Sequence, residues 1–122
     1  GAIAVRLGQP PHQLLLIMLH LSLGSRSRCR QLNYIRELIG DQQSVVVMGD
    51  LNCHQDDLLG HSAFRDSNLQ PPEVHRATYP SWRPLHAFDH ILVSDTLQIL
   101  KTQVLNQTLS DHRPVALEIK LP

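Results

Sequence analysis

Residues 14–19 (LLLIML) form the longest apolar run in the chain, and this run limits the possible folds more than any other feature. A strand with apolar side chains on successive positions has no face that suits water, so structure must cover it on both sides. The run is far too short to cross a bilayer, which requires about 20 residues. We therefore expect a layered protein whose sheet lies between other elements.

The rest of the pattern predicts strands that alternate with helices. Strand 2–7 is joined to the apolar run by Gly-Gln-Pro-Pro, a strong turn signal, so the two strands form a hairpin. Apolar residues at helical spacing predict a helix with Ser25 as its N-cap, ended by Gly40. The fold class is therefore α/β (α+β), in one domain over residues 1–122. The later elements are a strand over 44–48, a weak helix over 57–64, and strands over 88–93, 97–105 and 114–121.

Charge and cysteine content narrow the candidate functions. Eleven basic and eleven acidic residues cancel, whereas proteins that bind long nucleic acids through many phosphates carry a basic excess. This balance favours a small or locally recognised substrate. Cys29 and Cys53 match neither a zinc motif nor a disulfide framework, and they predict two reduced thiols in a cytoplasmic protein. We expect no signal peptide and no transmembrane segment.

Polar side chains interrupt the apolar framework at four strand ends. In layered α/β folds ligands bind at such ends, because the scaffold fixes the side chains there. Carboxylates, an amide and imidazoles can bind a hard cation, orient a water and contact phosphoryl oxygens. The set therefore fits metal-assisted attack of water on a phosphoester. Its members are His20, Asp50, Asn52, Asp89, His90, Asp111 and His112.

Several of these residues have a simpler structural explanation when each is taken alone. Asp50 and Asn52 can form an Asx turn at the end of a strand. His20 can be a half-buried histidine with its hydrogen bonds satisfied. Asp111 can bond to its own loop backbone. Only the presence of all the groups together favours a functional site over these explanations.

Asp89 is harder to explain as a structural residue. It lies between Phe88 and the apolar residues 91–93, where a buried carboxylate needs a partner or a metal. His112 is the expected partner, because a carboxylate fixes the tautomer of an imidazole and raises its basicity.

The order of the motifs resembles that of the endonuclease/exonuclease/phosphatase superfamily, which has the DNase I-like fold. The motifs are Gly-Asp-Leu-Asn at 49–52, Asp-His-Ile at 89–91 and Ser-Asp-His-Arg-Pro at 110–114. The Thr-Tyr-Pro-Ser-Trp loop at 78–82 resembles the small bacterial branch of the family. The resemblance covers nearly the whole chain and implies a two-layer β-sandwich flanked by helices. Family domains are roughly twice this length, so the chain resembles the C-terminal half, without the N-terminal half.

The resemblance also implies a role for each matching residue in metal-dependent phosphodiester hydrolysis. Asp50 is similar to the residue that activates or orients the attacking water. Asn52 and His112 match residues that bind the phosphate, and Asp89 matches the residue that orients His112. His20 matches a histidine that assists the leaving group or the phosphate.

Metal and substrate contacts form a second implied set. The cofactor is Mg²⁺ or Mn²⁺, with Asp50 and Asp111 as ligands in this chain. Thr78, Tyr79 and Trp82 fall in a loop that borders the substrate, although packing under the Pro-rich loop is the favoured interpretation of Trp82. The principal glutamate ligand of the family belongs to the N-terminal half. None of the glutamates here matches it; they are Glu37, Glu73 and Glu118.

The missing half has consequences for activity and assembly. We expect the chain alone to bind Mg²⁺ weakly and to hydrolyse phosphoesters poorly. We also expect the apolar sheet face at residues 45–48 to need cover, from a second copy in a homodimer or from a complementary N-terminal half. The alternatives are a catalytically degenerate binding module of the same fold and a purely structural or interaction domain. A small phosphodiester, a lipid headgroup and nucleic acid all remain candidate substrates.

Overall fold

The structure is a computed structural model that describes residues 1–73 and 76–121, and within them it places two sheets and three helices. The helices are α1 Ser25–Ile39, α2 Gln55–Gly60 and α3 Ser62–Arg65. No helix in these described ranges is long and apolar enough to cross a bilayer. The strands are β1 Ala2–Leu7, β2 Leu14–His20, β3 Val45–Asp50, β4 Leu69–Gln70, β5 Asp89–Ser94, β6 Gln98–Val104 and β7 Val115–Lys120.

The larger sheet has five strands in the order β1-β2-β3-β5-β4. β1 and β2 form the predicted hairpin, with Ala2 opposite Leu19 and Leu7 opposite Leu14. β2 and β3 are parallel, so the chain crosses over between them through α1. β6 and β7 pair with each other in a separate two-stranded sheet.

Both faces of the central strands are covered, as residues 14–19 predict. Buried side chains on one face of the five-stranded sheet pack against the three helices, and those on the other face pack against β7. Each fully buried aliphatic side chain of this kind contributes about 1.5–3 kcal/mol. The helix-side core includes Leu15, Ile17, Val45, Val47, Leu92, Leu32, Ile35 and Phe64, and the opposite core includes Leu14, Val46, Ile91, Val93, Val115, Leu117 and Ile119. Two layers of sheet with helices outside confirm the α/β sandwich.

The expectation that residues 45–48 form an exposed apolar face is wrong. Val45–Val47 are buried, because helices cover one side of β3 and the β6-β7 sheet covers the other. Exposed apolar side chains of the five-stranded sheet lie instead near its edge strand β1, where Ile3, Val5 and Leu7 are each more than 40% exposed. They share one face of the sheet, which is the face that β7 covers farther along.

Several elements differ from the sequence interpretation. α1 has Gly24 as its N-cap, so Ser25 is the first helical residue and not the cap. The helix predicted at 57–64 is two short helices that break at His61, whose Nδ1 accepts a hydrogen bond from the amide of Ala63. β4 was not predicted, because a strand of two residues carries no alternation.

Gly49 allows β2 and β3 to approach closely enough to continue pairing as far as Asp50. Its φ is +140°, and a Cβ at this position would lie 1.8 Å from the carbonyl oxygen of Leu19. Only glycine fits such a position. As a result β3 extends two residues beyond the predicted end at 48, and Asp50 is its last residue.

Candidate active site

Three neighbouring strands each place one polar side chain at the same end of the sheet, side by side. In the register of the sheet, His20 of β2 is opposite Asp50 of β3, and Asp50 is opposite Asp89 of β5. Residues that are paired across neighbouring strands lie about 5 Å apart and point to the same side. The sheet register therefore brings together residues that are 30 and 39 positions apart in sequence.

Asp89 and His112 form the hydrogen-bonded pair that the sequence predicts. His112 Nδ1 donates to Asp89 Oδ2 over 2.7 Å. The hydroxyl of Thr78, which is fully buried, donates to the same carboxylate oxygen. Because Nδ1 carries the shared proton, the tautomer of His112 is fixed by Asp89 and its Nε2 is turned toward Asp50.

Asp50 uses its two carboxylate oxygens for different purposes. Oδ1 accepts a hydrogen bond of 3.0 Å from the backbone amide of Asn52, which is the Asx turn considered above. Oδ2 lies 3.7 Å from His112 Nε2 and 3.6 Å from His20 Nε2. The turn therefore does not compete with a functional role, since it holds one oxygen and leaves the other facing the imidazoles.

Asn52 stabilises this turn from its other side. Its φ is +48°, a left-handed conformation that asparagine tolerates better than most residues. Its side-chain amide donates a 2.6 Å hydrogen bond to the carbonyl of Leu21, directly after β2. Asn52 thus ties the end of β3 to the end of β2 and fixes the position of Asp50 relative to His20.

The electrostatic surroundings of His112 favour its protonated form. Burial alone would lower the pKa of His112, but the hydrogen bond to Asp89 and the negative charges of Asp89, Asp50 and Asp111 outweigh it. The pKa of His112 is therefore raised above its ordinary value. A protonated imidazole at this position suits the binding of an anion such as a phosphate.

The loop 78–82 is fastened to the segment that carries His112. The amide of Ser81 donates to the carbonyl of Asp111 over 2.7 Å, and Arg113 Nε donates to the carbonyl of Ser81 over 2.7 Å. The ring of Tyr79 lies 4.8 Å from that of His112. The sequence predicts no role for Ser81 or Arg113, because no local pattern connects residues that lie 32 positions apart.

The remaining residues of the predicted set lie at different depths. Thr78 is fully buried, which favours support of Asp89 over the direct substrate contact implied by the resemblance. The packing interpretation of Trp82 is wrong, since 69% of its surface is exposed. Asp111 is exposed and accepts a hydrogen bond from the hydroxyl of Ser110. His90 is buried, and its Nε2 donates to the carbonyl of Cys53 in the turn after Asp50.

Asp50, Asp89 and His112 could hold a metal ion. One ligand atom from each lies within 4.8 Å of the others. Two carboxylates and an imidazole form a donor set that suits a divalent cation. Because Asp89 Oδ2 already accepts two hydrogen bonds, Asp50 Oδ2 is the atom best placed to be a ligand. Among the described residues, neither Asp111 nor any glutamate joins this cluster.

A sequence profile of the endonuclease/exonuclease/phosphatase family matches residues 22–112. The chain belongs to this family. The matched range includes Asp50, Asn52 and Asp89, and it ends at His112, two residues before Pro114–Val115. It begins two residues after His20, which therefore lies outside it. A comparison with curated proteins found no match.

Solved structures of the endonuclease/exonuclease/phosphatase fold resemble this chain closely in backbone. They include the mannosyl-6-phosphatase of Bacteroides thetaiotaomicron, with 19% identity, 92% of this chain covered and a TM-score of 0.70. D. rerio TDP2 in complex with a single-strand DNA product has 16% identity, 98% coverage and a TM-score of 0.75. The inositol polyphosphate 5-phosphatase domain of SpSynaptojanin, with inositol (1,4)-bisphosphate and calcium, has 20% identity, 99% coverage and a TM-score of 0.70.

These similarities establish that the chain has the DNase I-like fold, and they show how much of that fold the chain contains. The chain spans 53%, 61% and 52% of the three matched chains, so it corresponds to about half of each. At identities near 20% the likeness concerns the fold, and the function of this family member depends on its own residues.

Proposed function

We propose that this chain carries the phosphate-binding and water-activating part of a divalent-metal-dependent phosphoesterase that hydrolyses phosphodiesters. One observation carries the proposal: Asp50 Oδ2 faces His112 Nε2 at 3.7 Å, while Asp89 holds the opposite nitrogen of the same ring. This places an acceptor for a proton of water beside a donor for a phosphoryl oxygen. The names of two solved neighbours, a mannosyl-6-phosphatase and an inositol polyphosphate 5-phosphatase, agree with the broader class of phosphoester hydrolysis.

Each residue of the site has a defined part in the proposed reaction. Asp50 orients the attacking water and accepts its proton. His112 donates from Nε2 to a non-bridging phosphoryl oxygen and stabilises the charge that develops there. Asp89 accepts the Nδ1 proton and stabilises the imidazolium form of His112, which also carries a proton on Nε2 for this donation. Asn52 fixes the turn and has a second amide hydrogen for the phosphate, and the exposed His20 contacts the phosphate or the leaving group.

We propose Mg²⁺ or Mn²⁺ as the metal, with Asp50 as the main ligand from this chain and Asp111 near a second metal position. When bound, such a cation polarises the phosphoryl group and neutralises part of its charge. Asp50 and Asp89 supply the oxygen atoms that hard cations prefer. Since no glutamate of the described residues reaches the cluster, weak binding of the cation is the expected behaviour of this chain alone.

We also propose that a complementary N-terminal half, which the family fold implies, covers the exposed face of β1 and supplies the glutamate. The exposed Ile3, Val5 and Leu7 support this, because they continue the apolar surface that β7 buries farther along the sheet. A second copy of the chain is the alternative occupant. Sedimentation of the pure chain distinguishes them, since a homodimer would form without any added segment.

The free thiols of Cys29 and Cys53 support a reducing, cytoplasmic location for the protein.

The reaction can be tested with bis(p-nitrophenyl) phosphate and the 122-residue chain, in Mg²⁺ and in EDTA. We expect slow hydrolysis that requires Mg²⁺. Asp50→Asn should reduce the rate by about 100-fold or to the rate of buffer, because it removes the proton acceptor. Asp41→Asn is the matched control: Asp41 is exposed in the turn after α1, and its replacement should leave the rate unchanged. Hydrolysis that Asp50→Asn does not slow would overturn the proposal.

A binding module without catalysis is the second candidate function. It is favoured by the absence of a glutamate from the described cluster. It predicts that inorganic phosphate binds near His112, detected by a change in its imidazole NMR signals, while no Mg²⁺-dependent hydrolysis of any phosphoester occurs.

A further inference from the structure

A row of four rings leads away from His112 along the surface. The ring of Tyr79 lies 4.8 Å from His112, and that of Phe88 lies 6.1 Å from Tyr79. The imidazole of His86 stacks on Phe88 at 5.2 Å with the two planes within 1° of parallel. His54 lies 5.2 Å from Phe88 and 5.6 Å from His86. We name Tyr79, Phe88, His86 and His54 the ring row.

The backbone fixes the ring row to the elements that carry the candidate active site. Tyr79 and His86 form an antiparallel bridge, with hydrogen bonds of 3.0 and 2.9 Å between their amides and carbonyls. The carbonyl of Phe88 accepts from the amide of Leu51, directly after Asp50. The rings therefore keep a fixed position relative to Asp50 and His112 before any ligand binds, which reduces the entropy cost of binding.

The ring row is open to solvent. His54 and His86 are exposed, and Tyr79 and Phe88 are half-buried. The loop between Tyr79 and His86 adds two exposed apolar side chains, with Trp82 69% and Leu85 63% exposed. The two exposed imidazoles therefore give the ring row a surface that a flat ligand ring can contact.

The charge of this segment suits an anionic ligand. Residues 76–88 include Arg76 and Arg83 and contain no aspartate or glutamate. A ligand that combines a phosphate with a flat ring would place the phosphate at His112 and the ring over the neighbouring side chains. Inositol, sugar and acyl groups have no flat π-face for such a surface, whereas every nucleobase has one.

We infer that the ring row binds a nucleobase attached to the scissile phosphate, so that nucleotidyl esters are the preferred substrates of the proposed phosphoesterase. The inference rests on the proposed function for the location of the phosphate. Base–aromatic stacking changes affinity by about 5- to 150-fold for each base. We therefore expect a preference of about 10-fold for a phosphate that carries a base over one that does not.

The test compares the binding of thymidine 5′-monophosphate and ribose 5-phosphate to the 122-residue chain by calorimetry or NMR titration. Wild type should bind the nucleotide about 10-fold more tightly. His86→Ala should remove this preference by weakening only the nucleotide, because ribose 5-phosphate makes no stacking contact. His12→Ala is the matched control, since His12 is an exposed histidine in the β1–β2 turn. Phe88→Leu, which keeps an apolar side chain without a ring, provides a second variant if His86→Ala unfolds.

The outcomes separate this inference from the proposed function. Equal affinity for the two ligands, equal weakening of both by His86→Ala and Phe88→Leu, or no binding of either ligand would overturn the ring row as a base site. Hydrolysis of bis(p-nitrophenyl) phosphate could still occur in each case. Conversely, a nucleotide preference that depends on His86 and Phe88 supports the ring row even if no hydrolysis is found.

Discussion

Replacing Gly49 with alanine should separate β2 from β3 where the sheet presents Asp50. The added Cβ would lie 1.8 Å from the backbone carbonyl oxygen of Leu19, whereas ordinary contact begins at 3.4 Å. Because the neighbour is backbone, no side-chain rotation can relieve the overlap. The φ of +140° adds strain of its own, since residues with a Cβ rarely adopt it.

The size of the stability loss depends on how far β2 and β3 must separate. Even a separation of 3.0 Å between the new Cβ and the oxygen requires the strands to part by more than 1 Å, which breaks the ladder beside Leu19. Two lost hydrogen bonds at about 1 kcal/mol each, with about 2 kcal/mol of backbone strain, predict a loss of about 4 kcal/mol. For a domain of this length, such a loss lowers the melting temperature by about 15 °C.

Urea denaturation and thermal melting followed by circular dichroism measure this difference. Gly60→Ala is the matched control, because nothing lies within 4 Å of a Cβ at Gly60, the last residue of α2. Its stability should change by no more than about 1 kcal/mol. If Gly49→Ala also stayed within 1 kcal/mol of wild type, the close approach of β2 and β3 and the placement of Asp50 that depends on it would be refuted.

Three further predictions concern single side chains. Asp89→Asn should lower the pKa of His112, which an NMR titration of the imidazole signals measures; an unchanged pKa would contradict the pairing. The folded-state pKa of His112 is raised, so its contribution to the free energy of unfolding is fully present below the unfolded pKa of about 6.5 and is lost as pH rises through the folded value. Urea denaturation across this pH range should therefore show a smaller loss of stability in Asp89→Asn than in wild type. Thr78→Val should slow hydrolysis by about 10-fold and Thr78→Ser should restore it, since only a hydroxyl supports Asp89; equal rates in the two variants would argue against this support. Iodoacetamide should label the exposed Cys29 in the native protein and spare Cys53, because burial keeps Cys53 from the reagent and raises the pKa of its thiol. Mass spectrometry of the digested protein measures the labelling. Similar labelling of both thiols would contradict the packing around Cys53.

The sequence predicts the strands of this fold well because their side-chain pattern is local. The apolar run 14–19 correctly indicates a sheet covered on both sides, and the hairpin with Ala2–Leu7 follows from its turn residues. The end of β3 could not be predicted in the same way. Gly49 and Asp50 have weak strand preferences, and they pair only because β2 and β5 lie on either side of them.

The candidate site was predicted as a set of residues but not as an arrangement. Strand ends identified His20, Asp50 and Asp89, whereas their alignment depends on the pairing register between strands that are far apart in sequence. Contacts within loops were missed for the same reason. Trp82 is exposed although aromatic residues usually pack, because hydrogen bonds of its neighbour Ser81 hold the loop backbone and leave the indole in solvent.

The central claim is that Asp89 and His112 act as one unit in hydrolysis. The most direct measurement is the Mg²⁺-dependent rate of bis(p-nitrophenyl) phosphate hydrolysis in Asp89→Asn, in His112→Ala and in the double variant. Residues that act as a unit give non-additive losses, so the double variant should be no slower than His112→Ala alone. If the two losses multiply instead, Asp89 acts independently of His112, and the account of the site is wrong.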